Sequence, residues 1–252
     1  MKFMCKNCAN IIFLLFLLFL LCRCNSNRQE TPIPESLLLQ KMTPINIPEP
    51  SGLALSYDNS FFWSVSDQDN KVYKLDKQGN IIKSFIVKGE DIEGIAVIDS
   101  LHLAVILEST NEVVVVDTSG KEIKRKKLNL NGRKNEGIEG VCFDVYSSNF
   151  YFVNEKHPGL LIKTDSSFTE LFRKEMNFAK DYSDIFFAKE DSLLWILSDE
   201  SKMIIKTDKN GNKIKTYSIK VEQPEGLVVD YKNKKIYVVS DKRNELYEFN
   251  LP

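Results

Sequence analysis

The sequence predicts an all-β protein, a five-bladed β-propeller with four antiparallel strands in each blade. Three observations carry that prediction. A short motif recurs every 42 to 46 residues, as Pro50-Ser51-Gly52-Leu53, Ile92-Glu93-Gly94-Ile95, Ile138-Glu139-Gly140-Val141, Tyr182-Ser183-Asp184-Ile185 and Pro224-Glu225-Gly226-Leu227. An acid follows the glycine position by 14 or 15 residues in every unit, at Asp67, Glu108, Glu155, Asp199 and Asp241. Nine or ten residues later a second β-rich run ends at Asp76, Asp117, Asp165, Asp208 or Asn250, and Gly79, Gly120 and Gly211 complete an Asp-x-x-Gly hairpin signal in three units.

Each unit therefore reads as strands a to d. Strand a follows the glycine, b ends at the acid, c ends at the Asp76-type residue, and d follows the turn, as at Ile81 to Val87. The fifth unit stops at Pro252, after its third strand, while Leu37 to Ile47 has no repeat of its own. This N-terminal segment is expected to supply the missing outer strand of the last blade and close the ring, since an open propeller leaves unpaired strand edges.

The first residues read as a targeting signal. Lys2 and Lys6 precede an unbroken apolar run from Ile11 to Leu21, which is short for a spanning helix of about 20 residues. Residues 1–23 are assigned to a lipoprotein-type signal peptide, 24–36 to a tether and 37–252 to the propeller. Leu21 lies three residues before Cys24 and resembles a lipobox leucine, making Cys24 the expected lipidation site. Arg23 just before Cys24 departs from the small residue usual there, and Cys22, preceded by Phe19-Leu20-Leu21, is the weaker candidate. An uncleaved membrane anchor is the alternative. Any of these places the bulk of the chain in the cell envelope, held at a membrane through its N-terminus.

Composition excludes several classes. The 34 basic and 35 acidic residues give a net charge of -1 with no basic stripe, which argues against nucleic acid. The Lys124–Lys127 run reads as a solvated strand end. Removal of residues 1–23 takes away Cys5, Cys8 and Cys22, and acylation occupies Cys24, so only Cys142 remains and no intramolecular disulfide or cysteine metal site forms. His102 falls at a variable strand start and His157 in a loop, and neither joins a Ser-His-Asp or Cys-His set.

Topology locates the candidate site. Strands a and b are antiparallel neighbours, so the start of a and the end of b share one end of the blade. Carboxylates thus converge around the central opening, with Glu93, Glu139, Asp184 and Glu225 innermost and the Asp67-type acids behind them. Crowded carboxylates repel and require protons, partners or a cation. A hard cation such as Ca²⁺, with 6–8 oxygen ligands, suits such a ring better than zinc. The competing reading makes each Asp67-type acid a cap of its own b–c turn. Trp63, Tyr151, Trp195 and Tyr237 share one strand-b position and read as packing between blades.

Glu49–Leu53, Trp63–Asp67, Asp91–Ala96, Gly137–Val141 and Gln223–Leu227 together resemble the SdiA-regulated family of bacterial envelope propellers, over roughly Leu37 to Pro252. The fourth unit departs from that pattern, with Ser183-Asp184 in place of Glu-Gly. The resemblance implies a periplasmic or outer-membrane protein. It also implies a distant similarity to calcium-dependent lactonase and phytase-like propellers, whose channel acids hold metal. Three functions fit these readings. The first is a non-enzymatic propeller binding a small-molecule or protein ligand on its carboxylate-lined face around Ca²⁺. The second is a metal-dependent hydrolase of a lactone or phosphoester, and the third is a structural scaffold.

Overall fold

Alternating apolar residues and tight hairpins build 21 strands and no helix across the described residues, 34–129 and 137–252 of the computed structural model. The signal peptide at 1–23, Cys24 with its lipidation, and the tether up to residue 33 lie outside them. Glu35 and Ser36, read from the sequence as the end of that tether, form β1 (Glu35–Ser36). β2 is Leu39–Pro44.

The first blade comprises β3 (Pro50–Leu55), β4 (Phe62–Ser66), β5 (Lys71–Leu75) and β6 (Ile81–Ile86). The second comprises β7 (Ile92–Val97), β8 (His102–Leu107), β9 (Glu112–Asp117) and β10 (Glu122–Lys127). The third runs through β11 (Ile138–Asp144), β12 (Asn149–Asn154), β13 (Leu160–Thr164) and β14 (Glu170–Glu175). β15 (Asp184–Ala188), β16 (Leu193–Ser198), β17 (Met203–Thr207) and β18 (Lys213–Ser218) make the fourth. The last blade has β19 (Pro224–Asp230), β20 (Lys235–Ser240) and β21 (Glu245–Asn250) from the C-terminus, and β2 pairs with β21 as its outer strand. The ring closes with the N-terminal strand, as the repeat count requires. β1 adds a short parallel strand to the edge of the fourth blade.

The second strand of each blade is almost wholly buried, and Trp63, Tyr151, Trp195 and Tyr237 pack between blades. Trp195 stacks on Tyr217 at 5.6 Å and Phe62 meets Tyr237 edge-on at 4.8 Å. The c–d hairpins show why the Asp76-type residue recurs. Its Oδ1 accepts the N–H groups two and four residues on, for Asp76, Asp117, Asp165 and Asp208 alike. Two of these turns also pin neighbouring blades together. Lys77 reaches the buried Asp230 at 3.0 Å and Lys209 the buried Asp144 at 2.7 Å.

Around the axis the backbones crowd. A Cβ on Gly52 would stand 2.7 Å from Glu93 O, and one on Gly94 would overlap Glu139 O. On Gly140 it would meet Asp184 Cα at 2.7 Å, and on Gly226 the Leu53 nitrogen at 2.7 Å. The repeated glycine is thus the residue at which inner strands touch.

Candidate functional site: an acid cup at one mouth of the channel

The residue before each ring position owes its orientation to the local register. Pro50 pairs with Ser66 and Gly52 with Val65, leaving Ser51 unopposed. Glu139 and Glu225 are left out in the same way, and Glu93 with Gly94 lies in the corresponding shift. Such a bulge re-aims a side chain, and here Ser51, Glu93, Glu139 and Glu225, with Ser183 from the fourth blade, whose inner pair has no shift, line a cavity of about 210 Å³. Behind them stand Asp67, Glu155, Asp199 and Asp241, with Glu49 and Asp181 completing the wall. Nine carboxylates and two hydroxyls line the cup, and no basic side chain does so among the described residues.

The Asp67-type acids are held there through their backbones. Asp67, Glu108, Glu155 and Asp241 donate their N–H groups to the carbonyls of Glu49, Asp91, Gly137 and Gln223. Three of those acceptors, Glu49, Asp91 and Gln223, adopt left-handed backbone with φ of 42°, 65° and 40°. The expectation that each acid caps its own b–c turn does not hold. The preceding serine does so instead, since Ser66, Ser198 and Ser240 accept the N–H of Asp69, Ser201 and Arg243 through Oγ. A hydroxyl there leaves the acid free to face the axis.

Glu93, Glu139 and Glu225 all line the cup, but Asp184 does not share their level. It occupies the ring position that is glycine in the other blades, and its carboxylate accepts the N–H of Ile185 at 2.8 Å and of Leu227 at 2.7 Å. Its oxygens are thereby committed to backbone, and Ser183 is the residue that takes the Glu93 position in that blade. Glu108 also turns away, accepting the Gly137 N–H at 2.8 Å. Glu49, Asp91 and Asp181 were not singled out as candidates from sequence. All three lie three residues before the ring position, a register that the repeat alignment already contains.

Burial and mutual repulsion raise the proton affinity of these groups. Burial pushes the Glu93 carboxyl from its ordinary 4.5 up to about 8, helped by Asp67, Asp91 and Glu108. Burial, opposed by the Gly137 N–H and reinforced by Asp91, lifts Glu108 to about 7. Glu139 and Glu225 move well upward for the same first reason, with Glu93 among the charges acting on both. Asp67 and Asp241 also rise through burial. Lysines relieve one side of the wall, with Lys156 at 2.6 Å from Glu155 and Lys202 on Asp199. On the other side Asp67, Asp91 and Glu93 each place an oxygen within 4.8 Å of the others. Among the described residues no lysine or arginine forms an ion pair with any of the three.

Fold and cup together define a closed five-bladed propeller with a carboxylate-lined mouth. The chain belongs to the SdiA-regulated family, whose model matches residues 38–250. Solved structures share the fold at low identity. A glutaminyl cyclase of Myxococcus xanthus superposes with a TM-score of 0.69 at 11% identity, covering 87% of this chain and 97% of its own. A nidogen/laminin complex gives 0.60 at 15% identity, covering 80% of this chain and 76% of the matched one. A streptogramin B lyase gives 0.51 at 18%, covering 84% and 72%.

Proposed function

We propose that this is an exported, lipid-anchored envelope propeller whose acid cup holds a divalent cation and, around it, binds a ligand or protein partner. One observation carries the reading: Asp67, Asp91 and Glu93 bring carboxylate oxygens within 4.8 Å of one another, and no basic side chain among the described residues pairs with them. A hard cation supplies the missing charge, and three carboxylates with the neighbouring Ser51 hydroxyl and water suit the 6–8 oxygen ligands of Ca²⁺. The seat lies between the first two blades, while Glu139 and Glu225 face it across the cup and set its negative field. Thermal melting after chelator stripping tests this. Ca²⁺ at about 100 times its dissociation constant should add about 2.7 kcal/mol of stability, and Glu93→Gln should remove most of that gain. Equal melting with and without Ca²⁺, Mg²⁺ and Mn²⁺ would refute it.

A second reading rests on the spread of carboxyl protonation. Glu93, its carboxyl pushed up to about 8 by burial and by Asp67, Asp91 and Glu108, has the proton affinity of a general acid set among further carboxylates. A metal-dependent hydrolase would use it, with the cation polarising the substrate. Turnover of a lactone or phosphoester that Glu93→Gln abolishes, with folding intact, separates this enzyme from a binding module. For the anchor, Cys24→Ser should release the protein from membranes, whereas continued retention would point to Cys22 or an uncleaved anchor.

A further inference from the structure

The opposite mouth of the channel holds a second cavity, of about 200 Å³. The ring of glycines and Asp184 lies between the two, because residues just before the ring line the cup and residues just after it line this one. Its floor is apolar, formed by Leu53, Ile95, Val141 and Ile185. Space exists because Ala54, Ala96 and Cys142 stand two residues beyond the ring in three blades, where the fourth has Phe186. Phe143 and Phe187 add aromatic wall, both on inner strands. Charge appears only at the rim, where Lys189 and Glu190 are exposed.

Protein interiors are close-packed, so an open apolar cavity of this size forgoes contacts that larger side chains would make. The fourth blade breaks the five-fold pattern at Asp184 and Phe186, both near the axis. Its outer-facing core keeps the repeat, as in Leu194-Trp195-Ile196-Leu197. The asymmetry is therefore confined to the channel, where a ligand would meet it. An enclosed apolar cavity of about 150 Å³ takes up benzene; this one opens to solvent at a rim that includes Ser56, Tyr57 and Asn59, and offers an apolar floor of similar size. We propose that this cavity binds a small aromatic molecule of one or two fused rings, its ring on the Leu53–Ile95–Val141–Ile185 floor and its polar head beside Lys189 at the rim. The site is independent of the acid cup and its cation.

Indole is the probe, titrated into methyl-labelled full-length protein and followed by NMR. Shifts should saturate and concentrate on the methyls of Leu53, Ile95, Val141 and Ile185. Leu55→Phe, which fills the wall, should weaken binding at least tenfold. Val145→Trp at the rim, where Val145 is 39% exposed and a larger side chain leaves the core untouched, gives the same test should the first variant fold poorly. Indole-3-acetate should bind more tightly than indole, and Lys189→Ala should erase that difference. No shift at the solubility limit of indole, shifts scattered over the outer strands, or full binding by Val145→Trp would overturn the site.

Discussion

Gly94→Ala should destabilise the propeller by about 3 kcal/mol, the upper range for forcing an atom into a packed interior. The added methyl would land on the Glu139 carbonyl and 3.3 Å from Gly140 Cα, so two backbones, not one flexible side chain, must yield. Those backbones belong to β7 and β11, whose spacing sets the bore of the ring, so local relief strains both neighbouring blades. Gly137→Ala is the internal control. Its nearest obstacles are Glu108 Cγ at 2.8 Å and Asn111 Oδ1 at 3.1 Å, side-chain atoms, with the Glu108 carbonyl at 3.3 Å, so no inner-strand backbone is met as closely as at Gly94. Denaturant unfolding of the pair should show a large loss for Gly94 and about 1 kcal/mol or less for Gly137. A Gly94→Ala loss below about 1 kcal/mol would mean that the ring relaxes freely, contrary to the closed packing described above.

Cation-free protein should lose stability as pH rises from 5 to 8. Glu93 and Glu108 hold protons up to about 8 and about 7, whereas the unfolded chain releases its own near 4.5. The folded state thus binds more protons across that window, and its stability falls as they are titrated away. Glu139 and Glu225 act in the same direction. Below about pH 4 the sign reverses, because turn hydrogen bonds hold Asp76, Asp117 and Asp208 below their ordinary range and folding must give up that gain on protonation. The cation-free optimum therefore falls near pH 5. A melting temperature lower by about 5 °C or more at pH 8 is expected, on the scale of 2–4 °C per kcal/mol for domains of this size. Ca²⁺ needs the ionised carboxylates, so its stabilisation should grow over the same window and level the profile. Glu93→Gln should flatten the cation-free curve; a cation-free protein more stable at pH 8 than at pH 5 would contradict the charge crowding.

The architecture was legible because a propeller repeats its constraints. The ring glycine, the hairpin aspartate and the buried strand-b aromatic each answer one packing demand met in every blade, and five occurrences fix the register. The closure by Leu39–Pro44 followed from the count of strands. The site was legible only in part. Glu93, Glu139 and Glu225 were found because each stands just before the repeated glycine at the start of an inner strand, but the same alignment offered Asp184 as their fourth member. Sequence gave no sign that an aspartate at the ring position would spend its oxygens on the N–H groups of Ile185 and Leu227. Asp91 escaped notice for the opposite reason. Its role depends on a left-handed turn that brings it beside Asp67, a residue of the neighbouring blade. The apolar cavity was invisible, since small residues on inner strands such as Ala54, Ala96 and Cys142 carry no signal of the space beside them.

The central claim is that the acid cup is a cation site, and calorimetric titration of chelator-stripped protein with Ca²⁺ at pH 8 tests it most directly. The account predicts saturable binding of one Ca²⁺ per chain in the wild type and its loss in Asp91→Asn and Glu93→Gln, with both variants folded. Absence of binding in the wild type, or undiminished binding in both variants, would contradict it.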